Sequence, residues 1–369
     1  CALHFVFSNR KHIFAFNFIA VSAGRTFGHD IQFFDVIARL YHPRKIAWIY
    51  VSGETHNAAL FRAFEKNITF FKLTELHENA EWVANIIKGV LFIAELKRAR
   101  WPKHYIIDPR HLMQTLSVWE GNYTFAPKNA DKIKAGLYFL NRVPLSIYRF
   151  LILNDVGLRP ELPKDLVKKC KKNIITTYPE FFEKPLVALI LREKGYLGSG
   201  INGPFRMSGP QENYRETVRF LAQSGFHIAG TGDTKIELFT DIEGFFDLNC
   251  CGLDDELLNI FLILNCTLGI GQNSGPFPLI SSAGGTYLTT DAMPLAHAPI
   301  GLKDLVLYKR VSILGSKKSI AEIYKKYPHC VFPELTFEKG LELIDNTSAE
   351  ILEATKEIVE RLEGTTDND

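Results

Sequence analysis

The stretch LGIGQNSGPFPLISSAGG, residues 268–285, joins a short apolar run to a second apolar segment that begins at Pro276. This pattern predicts a buried strand, a tight polar turn, and a helix with proline in its first position, where no backbone N–H is needed. Free N–H groups at a helix start attract anions, so Asn273, Ser274 and Gly275 form a candidate cradle for a diphosphate. Plain capping of the helix by Asn273 or Ser274 explains the same residues equally well at this point.

Apolar runs rich in β-branched and aromatic residues alternate with segments of helical periodicity in both halves of the chain. The predicted strands are residues 14–21, 46–51, 68–73, 186–192, 226–230, 267–270 and 286–289. The predicted helices start near residues 33, 56, 214, 257, 276 and 347, and the last one has a capping box. This alternation predicts an α/β fold with parallel sheets that are covered on both faces.

The length of 369 residues suits two domains better than one core. A Pro- and Lys-rich passage, residues 159–185, separates the two series of strands and helices and predicts a linker. We assign an N-terminal domain to residues 1–165, the linker to 166–184, a C-terminal domain to 185–346, and a final helix and tail to 347–369. We expect the two domains to face each other across a cleft.

The composition is that of an ordinary globular protein, with 46% hydrophobic and 23% charged residues. A net charge of +2 without a basic stripe argues against a nucleic-acid partner. Six cysteines without a CxxC pair or zinc-like spacing fit a reducing compartment. We find no apolar run of the roughly 20 residues that a membrane helix needs, and we expect a cytoplasmic location. Peripheral contact with the inner face of a membrane, the oligomeric state, and membership of a longer chain that continues before Cys1 are left open.

Ligands of parallel α/β sheets bind at the carboxyl ends of the strands, which directs attention to the loops that follow them. These loops are rich in Gly, Ser, Asn, Asp and His, and they are residues 24–30, 192–209, 230–233, 272–275 and 290–294. Arg192 ends a buried strand, where its planar guanidinium suits a diphosphate; an ion pair with Glu193 or Asp233 is the alternative. Gly230 precedes Asp233, which is a candidate for a ribose hydroxyl or a simple turn residue.

The loop GRTFGHD, residues 24–30, follows the first predicted strand. Its two glycines are four apart and no second pair follows, so the dinucleotide fingerprint is excluded. His29 or Asp30 is a candidate general base for an acceptor hydroxyl, although Asp30 could equally cap the helix. His297 is a weaker candidate, because a histidine in such a loop is by default a surface residue.

Motifs of other enzyme classes are missing from the sequence. It contains no HExxH, no GxxxxGK[ST] and no GxSxG, and its single Asp-x-Asp is DND in the terminal tail. A transferase that chelates its donor through a metal at a DxD motif is therefore disfavoured, and we predict no metal and no cofactor.

Three segments of the second half carry a family resemblance. They are NYRETVRFLAQSGFHIAGTGD (213–233), DDELLNIFLILNCTLGIGQNSGPFPLISSAGGTYLTTDAMP (254–294) and SILGS (312–316). Together with GHD (28–30), they resemble a family of bacterial glycosyltransferases of the B-type fold, which has two Rossmann-like domains. The resemblance covers about residues 185–345.

From this resemblance, the missing DxD motif and a one-step displacement by the acceptor hydroxyl, we predict a metal-independent, inverting glycosyltransferase of bacterial surface polysaccharide or glycoconjugate synthesis. Its donor would be a nucleotide sugar bound by the C-terminal domain, and its acceptor a glycan or glycoconjugate bound by the N-terminal domain. We assign His29 and Asp30 as catalytic. The remaining assignments are Arg25 and Gly28 on the acceptor side, and Arg192, Gly230, Asp233, Asn273, Ser274, Gly275 and His297 on the donor side.

The sequence departs from the family pattern at two positions. An arginine expected before the Gly-Asp element is missing from IAGTGD, and Asp291 stands where the pattern has asparagine. A carboxylate near a diphosphate repels it unless a cation lies between them. The alternatives to a transferase are a nucleotide-sugar epimerase or hydrolase on the same fold and a sugar-binding scaffold without catalysis.

Overall fold

The computed structural model describes the following residues: 8–9, 12–13, 15–16, 18–23, 27–52, 58–74, 82–88, 90–91, 105–107, 150–191, 209–231, 239–272, 275–293, 301–319, 321–323 and 340–364. The chain divides into two compact units. The first is Cys1–Phe125 with Asn154–Pro163, and the second is Ala126–Leu153 with Lys164–Asp369. Each unit contains a parallel sheet, which confirms the predicted α/β class.

The first unit is a four-stranded parallel sheet with the order β3-β2-β1-β4 in its described part. Its elements are β1 (Phe18–Ala23), α1 (Phe27–Tyr41), β2 (Ile46–Ser52), α2 (Ala58–Ala63), β3 (Ile68–Thr74) and β4 (Tyr105–Ile107). Helix α1 ends two residues before Pro43, as predicted.

Aromatic rings hold α1 and α2 against one face of this sheet. The Phe34 ring of α1 lies 4.8 Å from Trp48 and 4.9 Å from Phe70, measured between ring centroids. Phe61 of α2 lies 4.7 Å from Phe70. Such edge-to-face pairs contribute about 0.5–1.5 kcal/mol each beyond their burial. The apolar spacing along α1 therefore fixes which face of the helix points inward.

The start of α1 differs from the sequence prediction. Residues 28–30 were expected in a loop, because Gly28 disfavours a helix, but the helix begins at Phe27. Ile31 is fully buried. The buried face of α1 therefore reaches about one turn further towards the amino end than predicted. Asp30 therefore lies inside the helix, three residues after its first position, and it is not the N-cap residue.

A buried ion pair attaches the returning segment 154–163 to α1. Arg39 is 2% exposed; its Nε donates to Asp35 at 2.8 Å and its guanidinium donates to the carbonyl oxygen of Val156 at 2.9 Å. Gly157 has a φ of +76°, and a Cβ there would lie 2.7 Å from Cα of Arg39. Only glycine allows the backbone this close to α1.

The second unit is built on a six-stranded parallel sheet with the order β10-β9-β8-β5-β6-β7. Its strands are β5 (Leu186–Ile190), β6 (His227–Thr231), β7 (Phe245–Phe246), β8 (Leu268–Gly271), β9 (Thr286–Ala292) and β10 (Leu305–Tyr308). Its helices are α3 (Lys164–Thr177), α4 (Arg215–Gln223), α5 (Asp255–Asn265), α6 (Pro276–Ala283) and α7 (Ser348–Glu363). A small antiparallel sheet follows, made of β11 (Arg310–Ile313), β12 (Ser316–Lys318) and β13 (Leu341–Ile344).

Counted from β5, the six-stranded sheet has the order 3-2-1-4-5-6 of a dinucleotide-binding fold. Helices α4 and α7 cover one face, where Val218 and Ile358 join the core cluster that contains Leu189. Helix α6 covers the other face, where Ile280 lies over Gly269. The near-continuous apolar runs of β5 and β8 follow from burial on both faces.

Two helices of this unit bear on the predicted domain boundaries. The segment 166–184, expected as a linker because it is rich in lysine, contains most of α3, whose Cys170 and Ile174 are buried in the second unit. The last helix, α7, has the predicted capping box between Thr347 and Glu350 and ends at Gly364. Its apolar face belongs to the core of the same unit rather than to a separate tail.

Two glycines of the opening stretch are required by close packing. A Cβ on Gly269 would lie 2.4 Å from Cδ1 of Ile280. A Cβ on Gly271 would lie 1.9 Å from the carbonyl oxygen of Ile190 in the neighbouring strand, which is backbone and cannot rotate away. Gly271 therefore sets how closely β8 can approach β5.

We predict that Gly271→Ala lowers the free energy of unfolding of the second unit by about 3 kcal/mol, because the new methyl group overpacks the β5–β8 contact. The matched control is Gly315→Ala, where φ is +76° but no heavy atom lies within 4 Å of the added Cβ. That variant should lose only about 1 kcal/mol through its backbone conformation. Urea unfolding measures both, and equal losses would contradict the packing argument.

Candidate functional site

The carboxyl ends of four strands meet at one edge of the second unit's sheet. Ile190 at the end of β5 pairs with Thr231 of β6 on one side and with Gly271 of β8 on the other. Gly271 in turn pairs with Thr289 of β9. The chain order reverses between β5 and β8, and this switch point is where α/β sheets bind their ligands. The loops that follow β5 and β8 therefore start next to each other at this edge of the sheet.

Helix α6 starts four residues after β8. Gly275 is its N-cap residue and Pro276 its first residue, so neither Asn273 nor Ser274 occupies the N-cap position. A helix start normally offers four free N–H groups, but Pro276 and Pro278 have none. The donors left are the N–H groups of Gly275 and Phe277. The candidate cradle therefore has two backbone donors at the helix start, and the predicted Ser274 hydroxyl would add a side-chain donor.

Only some of the predicted site residues are among the residues that the structure describes. The backbone places Gly28, His29 and Asp30 in the first turn of α1, Gly230 in β6 next to β5, and Gly275 at the α6 N-cap. The side chains of His29 and Asp30 lie outside the described residues, and so do Arg25, Arg192, Asp233, Asn273, Ser274 and His297. The roles of these residues stay predictions.

A buried carboxylate at the end of β9 was not assigned to the site from the sequence. Asp291 is 1% exposed and has a φ of +49°, a conformation that Asp tolerates better than most residues. Its Oδ1 accepts the N–H of Asn346 at 2.7 Å, and its Oδ2 accepts the N–H of Gly209 at 2.9 Å. The Asp291 N–H donates back to Oδ1 of Asn346 at 2.5 Å. These bonds connect β9 to the segments before α4 and before α7.

A buried lysine faces this carboxylate. Nζ of Lys309 lies 3.9 Å from Oδ1 of Asp291 and also forms an ion pair with the carboxylate of Asp345. Burial raises the pKa of Asp291, while Lys309 and the two backbone N–H donors act in the opposite direction. Lys309 thus places a positive charge close to the Asp291 carboxylate. The carboxylate faces inward to these partners rather than outward.

A tyrosine hydroxyl links Asp291 to the end of β8. The Tyr214 hydroxyl lies 2.7 Å from Oγ1 of Thr290, accepts from Nε2 of Gln272 at 3.1 Å, and donates to Oδ2 of Asp291 at 3.4 Å. Burial, and next the charge of Asp291, raises the pKa of Tyr214 far above its usual range, so the hydroxyl keeps its proton. Tyr287 donates to the carbonyl oxygen of Gln272 at 2.9 Å. Gln272, the residue before Asn273, is thus held on both sides.

We name this cluster the edge network; its members are Tyr214, Gln272, Tyr287, Thr290, Asp291, Lys309 and Asn346. The sequence predicts a helix that starts near Tyr214, and this prediction assigns no role to the Tyr214 hydroxyl. The sequence feature that could have indicated this network is the set of polar side chains at strand ends within otherwise apolar segments. Among the described residues no group of three or more His, Cys, Asp or Glu could hold a metal ion. In the same part of the chain, no helix has the length and apolarity to cross a membrane.

We predict that Asp291→Asn lowers the free energy of unfolding by about 1–3 kcal/mol, because the new amide turns an NH₂ group towards one of two buried N–H donors. Asparagine tolerates the φ of +49°, so backbone strain is not the cause. The control is Asp241→Asn, which changes an exposed carboxylate paired with Arg215 and should leave the unfolding midpoint nearly unchanged. Equal midpoints for both variants would show that the buried bonds of Asp291 contribute little.

Comparisons with known proteins give similarity in structure alone. No family model and no curated protein matches the chain. A glycosyl transferase family 9 protein from Veillonella parvula is 14% identical with a TM-score of 0.47, and the match covers 93% of this chain and 97% of that one. E. coli ADP-heptose lps heptosyltransferase II is 13% identical with a TM-score of 0.47, over 94% and 99% of the two chains. A UDP-N-acetylglucosamine 2-epimerase is 10% identical with a TM-score of 0.37, over 96% and 98%. The similar structures thus include glycosyltransferases, the class that the sequence resembles.

Proposed function

We propose that this protein is a glycosyltransferase that takes a sugar from a nucleotide-sugar donor bound at the carboxyl edge of the second unit's sheet. The observation that carries the proposal is the switch point between β5 and β8. The strand ends at Ile190 and Gly271 are direct neighbours, and the chain continues from them to Arg192 and to Asn273, Ser274 and Gly275.

The residues next to the switch point suit a nucleoside diphosphate. The N–H groups of Gly275 and Phe277 at the start of α6 offer two backbone donors and the positive end of the helix dipole. We assign the Ser274 hydroxyl and the Arg192 guanidinium as the additional donors that the prolines of α6 make necessary. Asp233, which follows the Gly230 end of β6, is assigned to a ribose hydroxyl, and His297 to the donor side.

We assign the acceptor side to the first turn of α1, with Gly28 and Arg25 beside the acceptor. The acceptor hydroxyl oxygen attacks the anomeric carbon, the bond from that carbon to the diphosphate oxygen breaks, and the proton passes to His29 or Asp30. One such displacement inverts the anomeric centre, and the diphosphate leaves towards fixed donors without a metal. A role in surface polysaccharide synthesis at the inner face of a membrane stays a prediction.

We predict that Ser274→Ala and Arg192→Ala each lower turnover by about 10²–10³-fold, because each removes a donor to the leaving diphosphate. The assay is release of nucleoside diphosphate from a panel of ADP-, UDP- and GDP-linked sugars in the presence of glycan acceptors. The matched controls are Ser224→Ala, at the end of α4 on the opposite edge of the sheet, and Arg219→Ala, an exposed arginine of α4. Full activity of both donor-site variants would contradict the proposed donor site.

We predict that His29→Ala or Asp30→Asn lowers kcat by about 10²–10⁴-fold while donor affinity is retained, because the base acts on the acceptor and not on the diphosphate. Asp165→Asn is the control, since Asp165 is an acidic residue in the first turn of a different helix, α3. Donor affinity is measured by calorimetry with the nucleoside diphosphate alone. If both variants keep their kcat, the acceptor-side assignment is wrong.

Two measurements separate a transferase from the alternative functions. Turnover of the nucleotide sugar without any acceptor would indicate an epimerase or hydrolase. A protein that no nucleoside diphosphate stabilises against heat would be a sugar-binding scaffold.

A further inference from the structure

The edge network holds the described ends of three chain segments at the carboxyl edge of the second unit. The segment 192–208 leads to Gly209, whose N–H donates to Oδ2 of Asp291. The residues 273–274 follow Gln272, whose side chain and carbonyl oxygen are bonded to Tyr214 and Tyr287. The segment 294–300 follows β9, which ends beside Asp291 and whose Ala292 carbonyl oxygen accepts the Lys309 N–H at 3.1 Å.

The packing around Gly209 leaves little room for adjustment. A Cβ on Gly209 would lie 3.1 Å from Cβ of Asp345 and 3.3 Å from Nδ2 of Asn213. Asn213 donates to the carbonyl oxygen of Asn346 at 3.0 Å. The chain from Gly209 to Tyr214 is therefore fixed to the same residues that hold Asp291.

We propose that Tyr214 is a positioning residue for the nucleoside diphosphate. Its hydroxyl couples the residue before the 273–275 turn to the carboxylate that holds Gly209, so the segments bordering the donor site keep one register relative to each other. This inference rests on the proposed donor site, and Tyr214 itself is not assigned a contact with the ligand.

The hydroxyl is suited to this role because it is the atom shared by the two halves of the network. It accepts from Gln272 on the β8 side and bonds Thr290 and Asp291 on the β9 side. Without it, the buried amide of Gln272 loses the hydrogen bond to Tyr214, and the loss of a buried hydrogen bond is costly. We then expect the Gln272 side chain to turn towards water. The backbone that leads into Asn273 and Ser274 is less firmly held as a result.

The experiment compares Tyr214→Phe with Tyr178→Phe, which removes a tyrosine hydroxyl from the α3 end of the same unit, where it donates to the carbonyl oxygen of Asp247 at 3.0 Å. Hydrogen exchange is followed in peptides that cover residues 209–213 and 268–280, and donor KM, acceptor KM and kcat are measured with the same proteins. We expect about tenfold faster exchange in these peptides and about tenfold higher donor KM for Tyr214→Phe only, with acceptor KM unchanged. Thr290→Val, which removes the hydrogen-bond partner of the same hydroxyl, should act in the same direction and serves if Tyr214→Phe does not fold.

The outcomes separate this inference from the proposed function. Unchanged exchange in the two peptides overturns the coupling, whatever the protein binds. Faster exchange with an unchanged donor KM overturns the positioning role while the donor site stands. Faster exchange in a protein whose wild type binds none of ADP, UDP and GDP overturns the proposed function, and the positioning role for that ligand falls with it.

Discussion

The pairing of β5 with β8 is the constraint on which the second unit depends. Ile190 and Gly271 are so close that a single methyl group on Gly271 would overlap the Ile190 carbonyl oxygen. In the sheet, β6 and β7 lie on one side of this pair, and β9 and β10 lie on the other. The strand order reverses at this pair, and the loops that carry the candidate donor residues follow the ends of its two strands.

Local signals in the sequence were enough to predict much of this unit. The predicted helix 276–283 matches α6 at both ends, because Pro276 at its start and Gly284 with a φ of +94° at its end act within a few residues. Seven of the ten described strands in the two parallel sheets were predicted from their apolar runs, since strands buried on both faces need little else; the short strands β4, β7 and β10 were not predicted. The capping box of α7 was recognised for the same reason, because both partners lie within one turn.

Predictions were wrong where packing overrides local composition. The start of α1 was placed too late, because Gly28 counts against a helix while the burial of Ile31 was not visible from the sequence. The segment 166–184 was read as a linker because lysines dominate it. Only Cys170 and Ile174, a turn apart, reveal the buried face of the amphipathic helix α3.

The edge network could not be derived from the sequence, because its partners are far apart along the chain. Tyr214 and Gln272 are separated by 58 residues, and Asp291 and Asn346 by 55. What the sequence did supply was a conflict: a carboxylate at position 291 near a proposed diphosphate. The structure resolves that conflict with Lys309 and two backbone donors, which hold the charge inside the unit. The Asp291 carboxylate is thus bonded within the second unit, next to the strand ends where the donor site is proposed.

The most direct test of the donor site is a crystal structure of the protein with a nucleoside diphosphate, either ADP or UDP. The account predicts that the diphosphate oxygens lie within hydrogen-bond distance of the Gly275 and Phe277 N–H groups, at the start of α6 and beside the β5 and β8 ends. A nucleotide bound at the amino edge of the sheet, or one whose phosphates contact neither N–H group, would contradict it.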